Sequence, residues 1–235
     1  LEQADKKIFV RRMFEDIHAR YDLLNTILSF GQDVRWRRWT IRDMPRAGIT
    51  IDLCSGGGEL ASELLSNPEF TGEVILADIA APMLRHFSNI MATEYSGRYY
   101  PVVCDVEELP FKENVFEGAI SAFGLRNLTD LGRFSSEVYR TIRPGGIAQF
   151  LEIAHPRNAI LGVIFKSYFY YITPLVARLF TGKVYAYRYL PGSLKSFPRQ
   201  DKIMQTLSAG WEMSEYENLF GGIAAIYKLS KQRPG

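Results

Sequence analysis

The chain has 235 residues, 47% hydrophobic and 23% charged, with a formal net charge of +2. These are ordinary values for a globular protein, so collagen-like, coiled-coil and disordered classes are excluded, and at about 150 residues per domain the length falls between one and two domains. A core of that size needs no disulfide or metal staple; the two cysteines, Cys54 and Cys104, form neither a disulfide framework nor a zinc-type cluster, which fits a reducing compartment.

The small net charge hides an asymmetry. Residues 1–46 carry 10 Lys and Arg against 7 Asp and Glu, residues 47–150 carry 7 against 14, and residues 151–235 carry 11 against 5. An acidic centre between basic flanks argues against a general nucleic-acid binder, whose domain is basic throughout. A basic, aromatic flank suits an anionic membrane surface or a solvated face. Residues 1–8 are polar and charged, unlike a secretory signal.

In chain order, Phe9, Met13, Phe14 and Ile17 recur at helical spacing and Tyr21, Leu24 and Leu28 follow. Residues 9–42 therefore read as helix, broken at Gly31, resumed by Trp36, Trp39 and Ile41, and ended by Pro45 and Gly48. From residue 49 short apolar strands alternate with helices. Strands fall at 49–54, 73–78, 99–104, 118–123 and 147–153, helices at 59–65, 82–90 and 131–142, and a turn at 143–146 (RPGG). This alternation predicts a parallel sheet covered on both faces. Residues 159–190 are apolar, aromatic and basic. Lys166, Pro174 and Arg178 interrupt the run of about 20 apolar residues that a transmembrane helix needs. The segment reads as a helical insert over one end of the sheet. A helix around 200–209, a strand near 214–218 and a last strand over 221–230 follow, the final two as an antiparallel edge hairpin. The organisation expected is a helical cap (1–48) and a cofactor-binding domain (49–235).

The first strand runs into Asp52, Leu53, Cys54, Ser55, Gly56, Gly57, Gly58 and Glu59. Glycines between a strand and a helix let the backbone turn sharply and approach a ligand, and the helix start presents free N–H groups. Such loops receive nucleotide-like cofactors. Gly56, Gly58 and Ala61 also match the G-x-G-x-x-A dinucleotide pattern. Asp78 ends the second strand, 20 residues past Gly58. An acid there accepts from both ribose hydroxyls of NAD or of S-adenosyl-L-methionine (SAM), or else caps the next helix. Asp52 and Glu59 would repel a pyrophosphate but not a sulfonium with an amino-acid tail. Asp105, after the third strand, is placed to accept from an adenine amino group, or is a plain turn residue. His18, His86 and His155 lack metal-ligand spacing, so no metal is expected.

Further blocks carry a resemblance. They are Met13-Phe14, RYDLLN (20–25), Leu28-Ser29, Gly31, Asp33 and Trp36-Arg37-Arg38, then Asp78-Ile79, Met83-Leu84 and Glu108-Leu109-Pro110-Phe111. Phe123-Gly124-Leu125-Arg126-Asn127 with Thr129-Asp130, Arg143-Pro144-Gly145-Gly146, Tyr187-Arg188-Tyr189-Leu190, Ser193 and Phe197-Pro198 complete the order. Over nearly its whole length the chain resembles the ubiquinone/menaquinone C-methyltransferase family of class I SAM-dependent methyltransferases. The resemblance implies a Rossmann-like α/β fold: a seven-stranded, mostly parallel sheet with helices on both faces and a helical cap. It implies SAM-dependent methylation of a ring carbon in a polyprenylated quinol, either demethylmenaquinol or 2-polyprenyl-6-methoxy-benzoquinol.

The cofactor-binding residues implied are Asp52, Ser55, Gly56, Gly57, Gly58, Asp78, Ile79, Met83, Asp105, Val106 and Ala122. Arg126, Asn127, Asp105 and His155 are the catalytic candidates. A quinol ring becomes a better carbon nucleophile once its hydroxyl is deprotonated. Arg126 suits phenolate stabilisation, and Asp105 or His155 suits proton removal, His155 being equally readable as a packing residue. Tyr21, Asn25, Phe123, Tyr187 and Tyr189 are expected around the ring. Gly57 stands where the family carries Thr, Ala122 where it carries Ser, and His155 where it carries Lys. A homodimer or quinone-biosynthetic assembly is implied, in the cytoplasm or the mitochondrial matrix, with the basic insert resting on a bilayer. Three other readings fit parts of the pattern. They are a methyltransferase for another small aromatic or lipid, an NAD-dependent oxidoreductase, and a non-catalytic assembly subunit.

Overall fold

A computed structural model describes residues 3–17, 21–85, 94–173 and 184–233. Three helices come first, α1 (Gln3–Ile17), α2 (Tyr21–Leu28) and α3 (Gln32–Ile41). The helix expected over 9–42 is thus divided. Phe30 and Gly31 both take left-handed backbone angles (φ 54 and 72), which turn the chain between α2 and α3. As a result α3 begins a turn earlier than Trp36.

The alternation follows as β1 (Ile49–Leu53), α4 (Glu59–Leu65), β2 (Glu73–Asp78), β3 (Tyr99–Val103), β4 (Phe116–Ala122), α5 (Leu131–Thr141) and β5 (Ile142–Ile153). Of the helix expected at 82–90, residues 81–85 are helical; the remainder, with His86, lies outside the described residues, as does His18. Next come α6 (Ala159–Ser167), a π-helical turn (Tyr168–Ile172), α7 (Val184–Ser196), α8 (Gln200–Leu207), β6 (Met213–Leu219) and β7 (Ala224–Ser230). The insert is helical throughout its described residues, and α7 runs past its expected end at 190. Arg178 and Lys183 lie outside the described residues. Among the described residues no helix is long and apolar enough to cross a membrane.

The seven strands form one sheet in the order β3-β2-β1-β4-β5-β7-β6. All neighbours are parallel except β5–β7 and β6–β7, which are antiparallel, so the expected edge hairpin is present. The RPGG segment is no free turn. Phe116 pairs with Ile142, and pairing resumes at Gly118 with Ile147, so residues 143–146 bulge within β5.

Both faces of the sheet are covered, which is why its central strands read as unbroken apolar runs. On one face Phe134 and Val138 of α5 and Ile203 and Leu207 of α8 pack with Phe116 and Phe150. On the other, Ile41 of α3 and Leu60 and Leu64 of α4 pack with Val74, Leu76 and Ile120. The chain leaves β1 toward β2 on one side and reaches β4 on the other. That reversal opens a crevice at the carboxyl ends of β1 and β4, where open α/β sheets bind ligands.

Candidate active site

The bend after β1 is tied to the end of β2. Ser55 N–H donates to the Ala77 carbonyl (3.1 Å), and Gly56 N–H donates to Asp78 Oδ2 (2.9 Å). Gly56 and Gly58 take left-handed angles (φ 56 and 79) that a side chain would strain. A Cβ on Gly56 would also lie 3.2 Å from Met83 Cε. Cys54 and Phe123, at the tips of β1 and β4, hold positive φ without being glycine (54 and 60). Strain of this kind persists only where surrounding structure enforces it, and it clusters at functional sites.

A cleft opens above these strand ends. Asp52, Ser55, Gly56, Asp78, Ile79, Met83, Asp105, Val106, Ala122, Phe123 and Asn127 all line it. Gly57 and Gly58 shape the bend without facing the cleft. The lining also includes residues outside the expected site, among them Lys7, Val10 and Phe14 of α1, Arg37 of α3, and Glu107. The α1 helix packs across the cleft mouth. Its Lys7 ammonium bridges Asp105 (2.6 Å) and Glu107 (2.8 Å), while Lys6 donates to the Leu128 carbonyl. Arg37 donates to Asp33 (2.6 Å) and lies over the Phe123 ring, 5.7 Å from its centre. No local pattern announces these contacts, because Lys7 and Asp105 are 98 residues apart.

The cleft floor is acidic but not fully charged. Burial pushes the Asp52 carboxyl up to about 8, with Asp78 adding to the rise against the Ala61 N–H and Arg37. Its Oδ2 accepts from Ala61 N–H (3.1 Å), and its buried Oδ1 has no partner. Burial also raises the Asp78 carboxyl, against the N–H groups of Ala80 and Gly56. Asp78 Oδ2 accepts from Gly56 N–H and Oδ1 from Ala80 N–H, the Ile79 N–H also favours the carboxylate, and each oxygen has a second acceptor position. Ser55 Oγ is buried and unpartnered. Burial lifts the Cys54 thiol well above its usual range and the Cys104 thiol to about 11, so neither is a ready nucleophile. Among the described residues no three metal-binding side chains gather.

Phe123 lies between this cleft and a second chamber, walled by α2, α3, α6 and the π-helical turn. Asn25, Phe123 and Arg126 line that chamber; Tyr189, His155 and Asn127 do not. Arg126 is 6% exposed, and its Nη1 donates to Glu152 Oε1 (2.6 Å) and to the Phe123 carbonyl (2.7 Å). Its backbone N–H reaches Glu152 Oε2 (3.0 Å). Glu152 was missed, although a carboxylate inside the apolar run of β5 is itself a signal. Asn127 Nδ2 donates to the Phe123 carbonyl (3.3 Å), leaving a buried, unpartnered Oδ1. His155 lines neither cavity. Its Nε2 meets the Phe197 carbonyl at 2.8 Å, so the imidazole fastens the end of α7 rather than facing a ligand. The Tyr189 ring packs on Phe9 (5.4 Å), and burial raises its phenol. The side chains of Tyr21 and Tyr187 lie outside the described residues.

Comparison with known proteins places this geometry. The model of the ubiE/COQ5 methyltransferase family matches residues 2–231. A ubiquinone/menaquinone biosynthesis C-methyltransferase UbiE of Geotalea daltonii is 33% identical over 226 residues, covering 94% of this chain and 96% of that protein. A demethylmenaquinone methyltransferase of Desulfitobacterium hafniense is 33% identical over 233 residues, with 97% and 92% covered. Among solved structures, the [4+2]-cyclase SpnF superposes with a TM-score of 0.69 at 14% identity, covering 96% of each chain. A SAM-dependent methyltransferase of Thermotoga maritima, described as a possible histamine N-methyltransferase, gives 0.67 at 15%, covering 94% and 99%. At such identities the structural likeness speaks for the fold alone, and the fold also hosts a cyclase. The full-length sequence match carries the assignment: this chain belongs to the ubiE/COQ5 methyltransferase family.

Proposed function

We propose that this chain transfers the methyl group of SAM to a ring carbon of a prenylated quinol, in ubiquinone or menaquinone biosynthesis. The observation that carries the reading is two neighbouring cavities that share Phe123 as a wall among the described residues, one acidic and lined by strand-end carboxylates, the other largely apolar. The polar atoms left open in the first cavity fit the cofactor. Asp78 keeps lone pairs for a ribose diol, and the orphaned Asp52 Oδ1 and Ser55 Oγ suit an ammonium or hydroxyl donor. A cation favours the ionised form of Asp52, whereas a pyrophosphate would meet two buried carboxyls; the NAD alternative is not favoured. When bound, SAM supplies an electrophilic methyl group on a sulfonium.

The chain's own residues align the partners and exclude water. Asp78 and the Gly56 bend hold the ribose, and Asp105 with Val106 flanks the adenine. Phe123, which lines both cavities, would border the reacting end of the cofactor on the side of the second chamber. Arg126, fixed by Glu152, stabilises the phenolate that develops as the ring hydroxyl loses its proton. Asn127, anchored to the Phe123 carbonyl, orients a ring or water oxygen at the boundary of the cavities. Asp105 lines the cofactor cleft and not the ring chamber, so it takes that proton through water, and Lys7 fixes its position. His155 takes no part. The test is transfer from methyl-labelled SAM to a prenylated demethylquinol: label on a ring carbon is expected. Label on oxygen, or none with SAM bound, contradicts the reading.

The prenyl tail remains in lipid while the ring enters the chamber. Ile160, Val163 and Ile164 of α6 and Tyr171 beyond it are exposed, with the exposed Lys166 on the same helix, which suits an anionic bilayer surface. Sedimentation with anionic vesicles at low salt is expected to carry the protein down; no binding there removes the membrane contact.

A further inference from the structure

The second chamber holds a polar set that its apolar walls do not explain. Asn25 Nδ2, Gln32 Oε1 and Trp36 Nε1 are each sealed from solvent and without a hydrogen-bond partner, and all three residues line this chamber. Buried polar atoms in folded proteins are nearly always paired, so three orphans around one cavity point to a ligand that pairs them. They sit on two helices held together by Asp33, which accepts from Ser29 Oγ (2.7 Å), Thr26 Oγ1 (3.3 Å) and Arg37 Nη1 (2.6 Å).

The sense of each orphan narrows the ligand. Asn25 Nδ2 and Trp36 Nε1 donate; Gln32 Oε1 accepts. A phenolic hydroxyl offers lone pairs to the donors and a proton to the acceptor. A quinone carbonyl or a methoxy oxygen offers lone pairs only and leaves Gln32 Oε1 buried and unpaired, a costly state. We propose that Asn25, Gln32 and Trp36 form a subsite that reads the oxidation state of the ring, admitting the hydroquinone and rejecting the quinone. The inference rests on the quinol reading above and names the residues that enforce its reduced form. Only the reduced ring is an electron-rich carbon nucleophile, so a chamber that took both forms would be blocked by the oxidised one.

Equilibrium dialysis under anaerobic conditions tests this with three tail-free probes: a naphthohydroquinone, its quinone and its dimethyl ether. The natural chain is expected to bind the hydroquinone at least about tenfold more tightly than the other two. Gln32→Leu should bring the ratio within about twofold, and Gln32→Glu, which keeps an acceptor, should preserve the preference. Trp36→Phe removes a donor that every form uses and should weaken all three probes together. Binding of S-adenosylhomocysteine, read on each variant, reports an intact neighbouring cleft; if Gln32→Leu loses it, the Gln32→Glu variant and the natural chain decide. Equal affinities in the natural chain, an undiminished ratio in a folded Gln32→Leu variant, or a lost preference in a folded Gln32→Glu variant overturns the proposal. Methyl transfer by the same preparation reads the parent assignment separately. Transfer without the ratio defeats the subsite alone, and the ratio without transfer defeats the methylation reading alone.

Discussion

Replacing Asp78 with Ala should raise the dissociation constant for SAM by at least about a hundredfold, measured by calorimetric titration. Two ribose hydroxyls lose a buried charged acceptor, at about 1.5–3 kcal/mol for each such bond. The carboxylate also does a second job. It holds the Gly56 and Ala80 N–H groups, so its loss frees the bend that the cofactor must meet. Asp78→Asn should fall between the two, because the amide keeps one acceptor oxygen and gives up the charge. The pH dependence has a definite sign. Burial raises this carboxyl above the ordinary aspartate range. The ionised form is the better acceptor, so affinity for SAM falls as pH drops through that raised value, earlier than for an exposed aspartate. An Asp78→Ala variant that binds SAM as the natural chain does would show that the ribose lies elsewhere.

Removing Glu152 should produce the largest loss of stability. Its side chain is fully buried and accepts from the Arg126 guanidinium, from the Arg126 backbone and from Ile153 N–H. Glu152→Ala removes the carboxylate that neutralises a guanidinium whose own side chain is only 4% exposed. Breaking a buried pair in this way costs about 3–5 kcal/mol, a large share of the stability of a domain. Denaturant unfolding should show a midpoint well below that of the natural chain. Removing both charges together, as Glu152→Gln with Arg126→Met, should cost less than Glu152→Ala alone, because no unpaired charge remains buried. A Glu152→Ala midpoint unchanged from the natural chain contradicts the burial of the pair. The same ion pair fixes the orientation of Arg126 before any substrate arrives, as the proposed contact with a phenolate requires.

Much of this was legible in the residues, for identifiable reasons. β2 and α4 carry the bounds expected of them, because a strand buried on both faces shows as an unbroken apolar run and the glycine bend marks the helix start. The bend and the acid at the next strand tip are legible because ligand geometry fixes their spacing. What stayed hidden depends on partners distant in sequence. Lys7 reads as one charge on an amphipathic helix until α1 folds over Asp105. Arg126 reads as a catalytic candidate past the fourth strand, but its burial shows only when Glu152 arrives beside it on the neighbouring strand. His155 falls at the ligand-binding edge of the sheet by position, yet the chain turns its ring toward the Phe197 carbonyl, a choice made by tertiary packing. Trp36 reads as part of a helical pattern and of a family block, and Gln32 carries no signal of its own; their open hydrogen-bonding atoms appear only once the chamber is built around them.

The central claim is that the Gly56 bend and Asp78 hold the adenosyl group so that its sulfur faces the Phe123 wall. A crystal structure of the chain with S-adenosylhomocysteine tests it most directly. The account predicts both ribose hydroxyls within hydrogen-bonding distance of the Asp78 carboxylate and the sulfur turned toward Phe123. Density for the ligand outside this cleft, or a ribose directed away from Asp78, would contradict it.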